Sequence, residues 1–449
     1  MDHDRDGTGS AVRAWRISPP MLLGAAFIGL IALSTLLFKI PFATTAALSW
    51  GEALFTATSA VTVTGLVVTE TGPTFSFFGE LVILLLMQLG GLGLMTFAVL
   101  ALLALGGRIT GQRELVATGG QAETIPADVL RTARVVVRIA LVAEAIAIIP
   151  LALVWVPEHG LFQGLWWAVF HAVSAFNNAG FTLAPDSLMS YAGHPVINTT
   201  ITGLYLMGGV GFVVLAGLWN APRTRQLDIN AKVVLLATLG LSAGGTVAIL
   251  VLESGNPATL GDLSDGGDRL WAAWLQATTP RTAGFNSLDI EALTQPTALV
   301  LMLLMFIGAG PNSTGSGIKV TTLVVLAAAT WSYIRGRRRP TVLRHPISGV
   351  VLLQALAVSF MALLGIFLGT LVLSITEQAD LLAVAFESVS AIGTVGLSRG
   401  LTADLSGWGQ LVVMMMMFLG RLCPLTVAYL VGSGFAAARQ RDREVLYIS

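Results

Sequence analysis

Apolar residues in this chain come in long unbroken runs, without the helical or alternating spacing of a half-buried element. Pro20–Leu37, Leu81–Leu105, Leu141–Val156, Val233–Leu252 and Val350–Leu373 carry almost no charge. A run of ~20 such residues is long enough to cross a bilayer as a helix. The pattern predicts eight spans, at 19–38, 79–105, 134–156, 196–219, 231–253, 296–334, 347–375 and 408–434, the sixth of them interrupted. Between the spans lie shorter apolar segments, too short to cross, which is the profile of re-entrant half-helices.

Four of these shorter segments align without gaps on a glycine. They are LFTATSAVTVTGL ending at Leu66, VFHAVSAFNNAGF ending at Phe181, AWLQATTPRTAGF ending at Phe285 and AFESVSAIGTVGL ending at Leu397. Ten residues before each glycine stands an aromatic (Phe55, Phe170, Trp274, Phe386), and six before it a hydroxyl (Ser59, Ser174, Thr278, Ser390). The glycines are Gly65, Gly180, Gly284 and Gly396, and 25, 28, 24 and 24 residues later come Gly90, Gly208, Gly308 and Gly420, each within the next span. A repeat of this kind marks a structural unit: span, half-helix, extended glycine segment, span. Each unit has two spans, so successive copies insert in the same direction around an axis along the membrane normal. The expected fold is an all-α integral membrane protein, with eight transmembrane helices forming four pseudo-symmetric span–pore loop–span units around a central ion pore. Their boundaries fall at 19–110, 111–222, 223–340 and 341–438, with tails at 1–18 and 439–449.

Composition agrees. The chain is 55% hydrophobic and 11% charged, with mean hydropathy +0.79, whereas a soluble domain carries about 25% charged residues. No short apolar stretch with a small-residue cleavage site follows the polar first twenty residues, so the first run reads as a permanent span. The lone Cys423 excludes an internal disulfide framework. With the N-terminus placed in the cytoplasm, 19 of the 25 Lys and Arg fall inside and four outside, with Lys319 and Arg421 in the membrane. That is the positive-inside bias, and both termini are expected in the cytoplasm of a bacterial inner membrane. Of the 25 Asp and Glu, 15 fall outside, which concentrates cations at an outer mouth.

Four converging backbone segments supply the oxygens that replace a cation's hydration shell. Glycine takes the φ/ψ values that aim successive carbonyls inward, and the half-helices turn their partially negative ends toward the path. The candidate K⁺ ligands are therefore backbone carbonyls of Thr62, Val63, Thr64 and Gly65; Asn177, Asn178, Ala179 and Gly180; Arg281, Thr282, Ala283 and Gly284; and Gly393, Thr394, Val395 and Gly396.

Two features break the symmetry. GAGPNSTGSGIK, residues 308–319, cannot continue a lipid-facing helix, and reads as a flexible gate beneath the filter made of Gly308, Gly310, Asn312, Ser313, Thr314, Gly315, Ser316 and Gly317. Arg421 stands where the other units carry Gly91, Gly209 and Ala309. A charge at that depth needs partners, either the loop or an ion pair such as one with Glu144. His171 reads as a packed or hydrogen-bonded residue near the filter, Met414–Met417 as an apolar patch, and Arg335–Arg339 as a basic stop that also suits lipid headgroups. No metal-ligand spacing, nucleophile–base pattern or dinucleotide fingerprint occurs, so no enzyme, organic cofactor or nucleic-acid partner is expected.

The four units and the broken third one resemble the Trk/Ktr/HKT superfamily of K⁺ transporters over residues 19–434, and most of all the membrane subunits of its bacterial Ktr systems. That resemblance implies Gly65, Gly180, Gly284 and Gly396 as filter glycines, residues 308–317 as an intramembrane gating loop and Arg421 as a pore-facing arginine. It also implies a homodimer, a cytosolic nucleotide-binding regulatory ring of the KtrA/TrkA type, and Na⁺ as an activator. The residues themselves leave a Na⁺- or H⁺-coupled symporter and a non-conducting membrane sensor open; Glu144 is the intramembrane carboxylate a proton-coupled mechanism would use.

Overall fold

The computed structural model describes residues 19–104, 125–212, 214–215, 217–218, 227–337 and 339–438. Both tails lie outside the described residues, as do Arg108, Arg113, Arg223, Arg225 and Arg338 of the orientation argument. The described chain is mostly helical, in the order α1 Pro19–Phe38, α2 Trp50–Thr62, α3 Phe77–Ala104, α4 Ile125–His159, α5 Leu161–Phe176, α6 Pro195–Val210, α7 Ile229–Glu253, α8 Gly266–Thr278, α9 Gln295–Phe306 and α10 Val320–Ile334. A two-residue hairpin, β1 Thr341–Val342 paired with β2 His345–Pro346, leads into α11 Gly349–Thr376, α12 Leu381–Gly393 and α13 Gly407–Ala438.

Three helical stretches, Arg134–His159, Ile229–Glu253 and Gly349–Thr376, are by length and composition apolar enough to cross a membrane. Their outer faces carry large exposed side chains such as Leu153, Val251 and Ile375, 70–76% accessible. A surface this apolar is matched to lipid, where burial brings no gain over exposure.

The four repeated segments form the short helices α2, α5, α8 and α12, each packed against the long helix that precedes it. α2 starts at a capping box: Ser49 N donates to Glu52 Oε2 at 2.7 Å and Glu52 N to Ser49 Oγ at 3.2 Å. Two otherwise orphaned donors are satisfied this way. Ser49→Ala is expected to cost about 1 kcal/mol, visible as a lower melting temperature of detergent-purified protein. The repeated aromatics serve packing, for Phe55, Phe170 and Phe386 are fully buried in the cores around their helices.

The landmark glycines in the second half of three of the units also find a role. A Cβ at Gly90, Gly208 or Gly420 would strike the carbonyl of Val61, Phe176 or Ile392. Each of those carbonyls sits four residues before a repeat glycine, so the long helices press against the last turn of the short ones. Close approach of this kind needs glycine.

One span differs from the expected outline, and another breaks where its glycine-rich stretch predicted. The fourth does not run unbroken to 219: α6 stops at Val210 because Gly211 takes φ +95°, and Phe212 N donates to Asn312 O at 2.9 Å. The sixth divides into α9 and α10, with residues 307–319 threaded between them. The two breaks pack on each other, since Gly310 N donates to Gly209 O at 2.7 Å and Thr314 N to Gly208 O at 3.2 Å.

Candidate ion pathway

Each short helix ends on a residue that will not continue it. In α2 and α12 the caps Val63 and Thr394 are left-handed, φ +56° and +47°. α8 stops earliest, at Thr278, because Pro280 lacks the N–H the next turn would need. Thr62 and Gly393 are thus final helical residues, and Asn177 is the cap of α5.

From there the four segments share one backbone pattern. The residue two before each glycine is left-handed (Val63 φ +56°, Asn178 +57°, Thr282 +75°, Thr394 +47°), and so is the glycine (+89°, +69°, +81°, +92°). The residue between has negative φ in every copy. The same alternation of hands recurs in all four copies, so the four segments leave their helices along like backbone paths. Val63, Thr282 and Thr394 are β-branched, and a β-branched residue at positive φ is a strained outlier that persists only where the surroundings overdetermine it.

The four glycines meet. A Cβ built on Gly65 would lie 3.0 Å from Gly180 Cα, one on Gly180 2.9 Å from Gly284 Cα, one on Gly284 2.6 Å from Val395 O, and one on Gly396 3.2 Å from Gly65 Cα. The ring closes in chain order, each member set against the next. Thr64, Ala179, Ala283 and Val395, the residues just before the glycines, are all buried.

On the side of the ring where the short helices end, the 307–319 segment contacts the second, third and fourth units. Gly315 lies so close under Thr282 that a Cβ there would strike its hydroxyl. Thr314 Oγ1 donates to Asn178 Oδ1 at 2.9 Å and to Phe176 O at 3.3 Å. Arg421, buried on α13, donates to Thr314 O at 2.6 Å, Ser316 Oγ at 2.8 Å and Gly90 O at 2.7 Å. Ser313 Oγ donates to Gly310 O at 2.7 Å, and Lys319 Nζ to Gly315 O at 2.8 Å. Gly308 and Gly317 stack at the root of the segment, where Ile307 and Ile318 form an isolated bridge.

The match of the TrkH family, described as cation transport proteins, covers residues 23–433. The chain belongs to that family. It is 44% identical over 414 residues to Ktr system potassium uptake protein B of Bacillus subtilis, covering 92% of this chain and 93% of the relative. It is 40% identical to the protein of the same name from Vibrio alginolyticus (92% and 91% covered), and 33% identical to potassium/sodium uptake protein NtpJ of Enterococcus hirae (92% and 93% covered). The crystal structure of the potassium transporter TrkH from Vibrio parahaemolyticus superposes with a TM-score of 0.73 over 93% of this chain and 86% of that one, at 19% identity. This member of the TrkH family is therefore an integral membrane protein with the TrkH transporter fold.

Several site contacts were not visible in the sequence. Arg421 does not pair with Glu144. Glu144 Oε2 instead accepts from Gln88 Nε2 at 3.3 Å, and its Oε1 from Asn177 Nδ2 at 3.4 Å, which ties the cap of α5 to α3 and α4. Arg281 is 6% exposed and its Nε has no partner. Arg399, which the charge pattern placed only outside, donates to Ile290 O, Glu291 O and Leu293 O, lacing the fourth unit to the third. His171 packs on Trp155 and bonds Trp167 O at 2.8 Å, as its sequence setting suggested. No cluster of three metal-ligating side chains occurs among the described residues.

Proposed function

We propose that this TrkH-family member is the K⁺-translocating subunit of a Ktr-type uptake system, with its path through the ring of Gly65, Gly180, Gly284 and Gly396. The relatives named for Ktr potassium uptake support K⁺ as the cargo. The observation that carries the reading is the meeting of four left-handed glycines at one ring, each preceded by a short helix whose last turn faces it. A dehydrated cation needs oxygens on all sides, and four like-oriented backbone segments offer them.

In this reading the units 19–110, 111–222, 223–340 and 341–438 stand around the path as pseudo-symmetric copies of two spans and a pore loop. Residues 308–317 are the gate, held shut by Arg421. The N- and C-termini lie in the cytoplasm. Two copies form a homodimer, and a separate cytosolic nucleotide-binding subunit of the KtrA/TrkA type drives opening. The "system" of the relatives' names supports such a second component, and the Enterococcus relative's name supports a part for Na⁺, as activator or second cargo.

Expression in bacteria stripped of their own K⁺ uptake tests this. Growth at low external K⁺ is expected, stronger when a Ktr regulatory subunit is supplied. Absence of growth in both arms, with the protein present in the membrane, would refute the reading.

A further inference from the structure

Three of the four short helices carry a large, fully buried polar side chain eight or nine residues ahead of the ring glycine: His171 on α5, Gln276 on α8 and Glu387 on α12, all 0% exposed. They do not align in type, and the repeat pattern gave them no role beyond the packed His171. In space they do one thing. His171 Nε2 accepts from Leu183 N at 3.4 Å, while its Nδ1–H donates to Trp167 O at 2.8 Å. Gln276 Oε1 accepts from Ser287 N at 3.2 Å and Leu288 N at 3.4 Å. Glu387 accepts from Ser398 Oγ at 2.7 Å and from Thr402 Oγ1.

In each copy the first donor lies just after a ring glycine: Leu183 three residues past Gly180, Ser287 three past Gly284, Ser398 two past Gly396; Leu288 and Thr402 follow four and six residues past theirs. Each side chain therefore ties the strand leaving the ring back to the helix that enters it. In the first unit the equivalent position is Thr56, buried at 1% exposure, whose Oγ1 has no partner, so that loop has no such tie.

We infer that His171, Gln276 and Glu387 are positioning residues that fix the outer limbs of three filter loops and so set how well the ring discriminates K⁺ from Na⁺. The inference rests on the proposed cation path. Its physical basis is that discrimination depends on how closely the carbonyl ring keeps its size and field. A limb pinned at both ends resists contraction around the smaller ion. Burial makes each bond consequential, because removing the acceptor leaves a buried donor unsatisfied.

The test is K⁺ and Na⁺ uptake by purified protein in proteoliposomes. Gln276→Leu and Glu387→Ala are expected to lower the K⁺/Na⁺ uptake ratio about tenfold, the scale of one buried hydrogen bond left unmade. Glu387→Gln keeps an acceptor oxygen and is expected to restore the ratio to within about twofold, since a neutral acceptor still satisfies the donor. Thr56→Val removes a hydroxyl that bonds nothing and is expected to leave the ratio alone. Ser398→Ala removes the Glu387 donor nearest the ring glycine and spares the helix, so it reports even where the helix variants fail to fold. Equal loss of both ions at an unchanged ratio, in the helix variants and in Ser398→Ala, would reduce these residues to packing and overturn the inference. If the unsubstituted protein discriminates and every variant matches it, this inference fails alone. If the unsubstituted protein passes no K⁺, the proposed function fails with it.

Discussion

Arg421→Ala is expected to raise K⁺ flux through the folded protein about tenfold or more at a fixed gradient. The guanidinium holds the 307–319 segment to the first unit through Thr314 O, Ser316 Oγ and Gly90 O. A hydrogen bond from a charged donor is worth about 1.5–3 kcal/mol, and about 1.4 kcal/mol shifts an equilibrium tenfold. Losing the two that reach the loop moves its balance toward the open arrangement by more than that, as far as the loop keeps its remaining ties to Gly208, Gly209 and Asn178. Removing the charge leaves no buried ion without a partner, so the chain should still fold. The measurement is tracer Rb⁺ uptake in proteoliposomes beside a size-exclusion profile. Unchanged uptake from a folded variant would make the loop a packing element and Arg421 its brace.

The second large effect is expected at the ring. Gly396 sits at φ +92°, and a side chain there would run into Thr64 O with Gly65 Cα 3.2 Å away. Gly396→Ser therefore meets a steric wall and a disfavoured backbone at once; the left-handed region alone costs a non-glycine residue about 1–2 kcal/mol. Relief has to come from opening the ring, which spoils its fit to one ion. Loss of growth at low K⁺ is expected, or a K⁺/Na⁺ uptake ratio at least about tenfold lower, since ~1.4 kcal/mol of lost fit has that effect. Gly203→Ala, on a helical face with nothing within 4 Å, is expected to behave as the parent. Normal discrimination by Gly396→Ser would place the filter elsewhere.

Much of this site was legible because its parts are periodic. The spacing of the repeat glycines, the half-helices before them and the break in the sixth span are all local, and each has a sequence signature: short apolar length, glycine, proline. The long-range parts left no such mark. Nothing around Val63 or Thr394 advertises a left-handed residue, because intrinsic preference argues against β-branched side chains there. The stop at Gly211 depends on Asn312, a hundred residues away. The landmark glycines at 90, 208 and 420 were visible as a spacing, but their purpose, room for the carbonyls of Val61, Phe176 and Ile392, needed coordinates.

Arg421 draws the boundary well. That a charge in an apolar run must find partners follows from the sequence, since lipid cannot solvate it. Which partners it finds depends on where four separate segments come to rest, and Glu144, the one intramembrane carboxylate the charge pattern offered, went to Gln88 and Asn177 instead. The sequence alone determined that the chain lives in a membrane, that four of its segments repeat and where their glycines fall, because hydrophobic length and repeat spacing are properties of neighbours along the chain. The tertiary structure decided the closing of the ring, the seating of the loop and the partner of each buried polar group, because hydrogen bonds between distant segments are chosen by distance in space, which linear order does not encode.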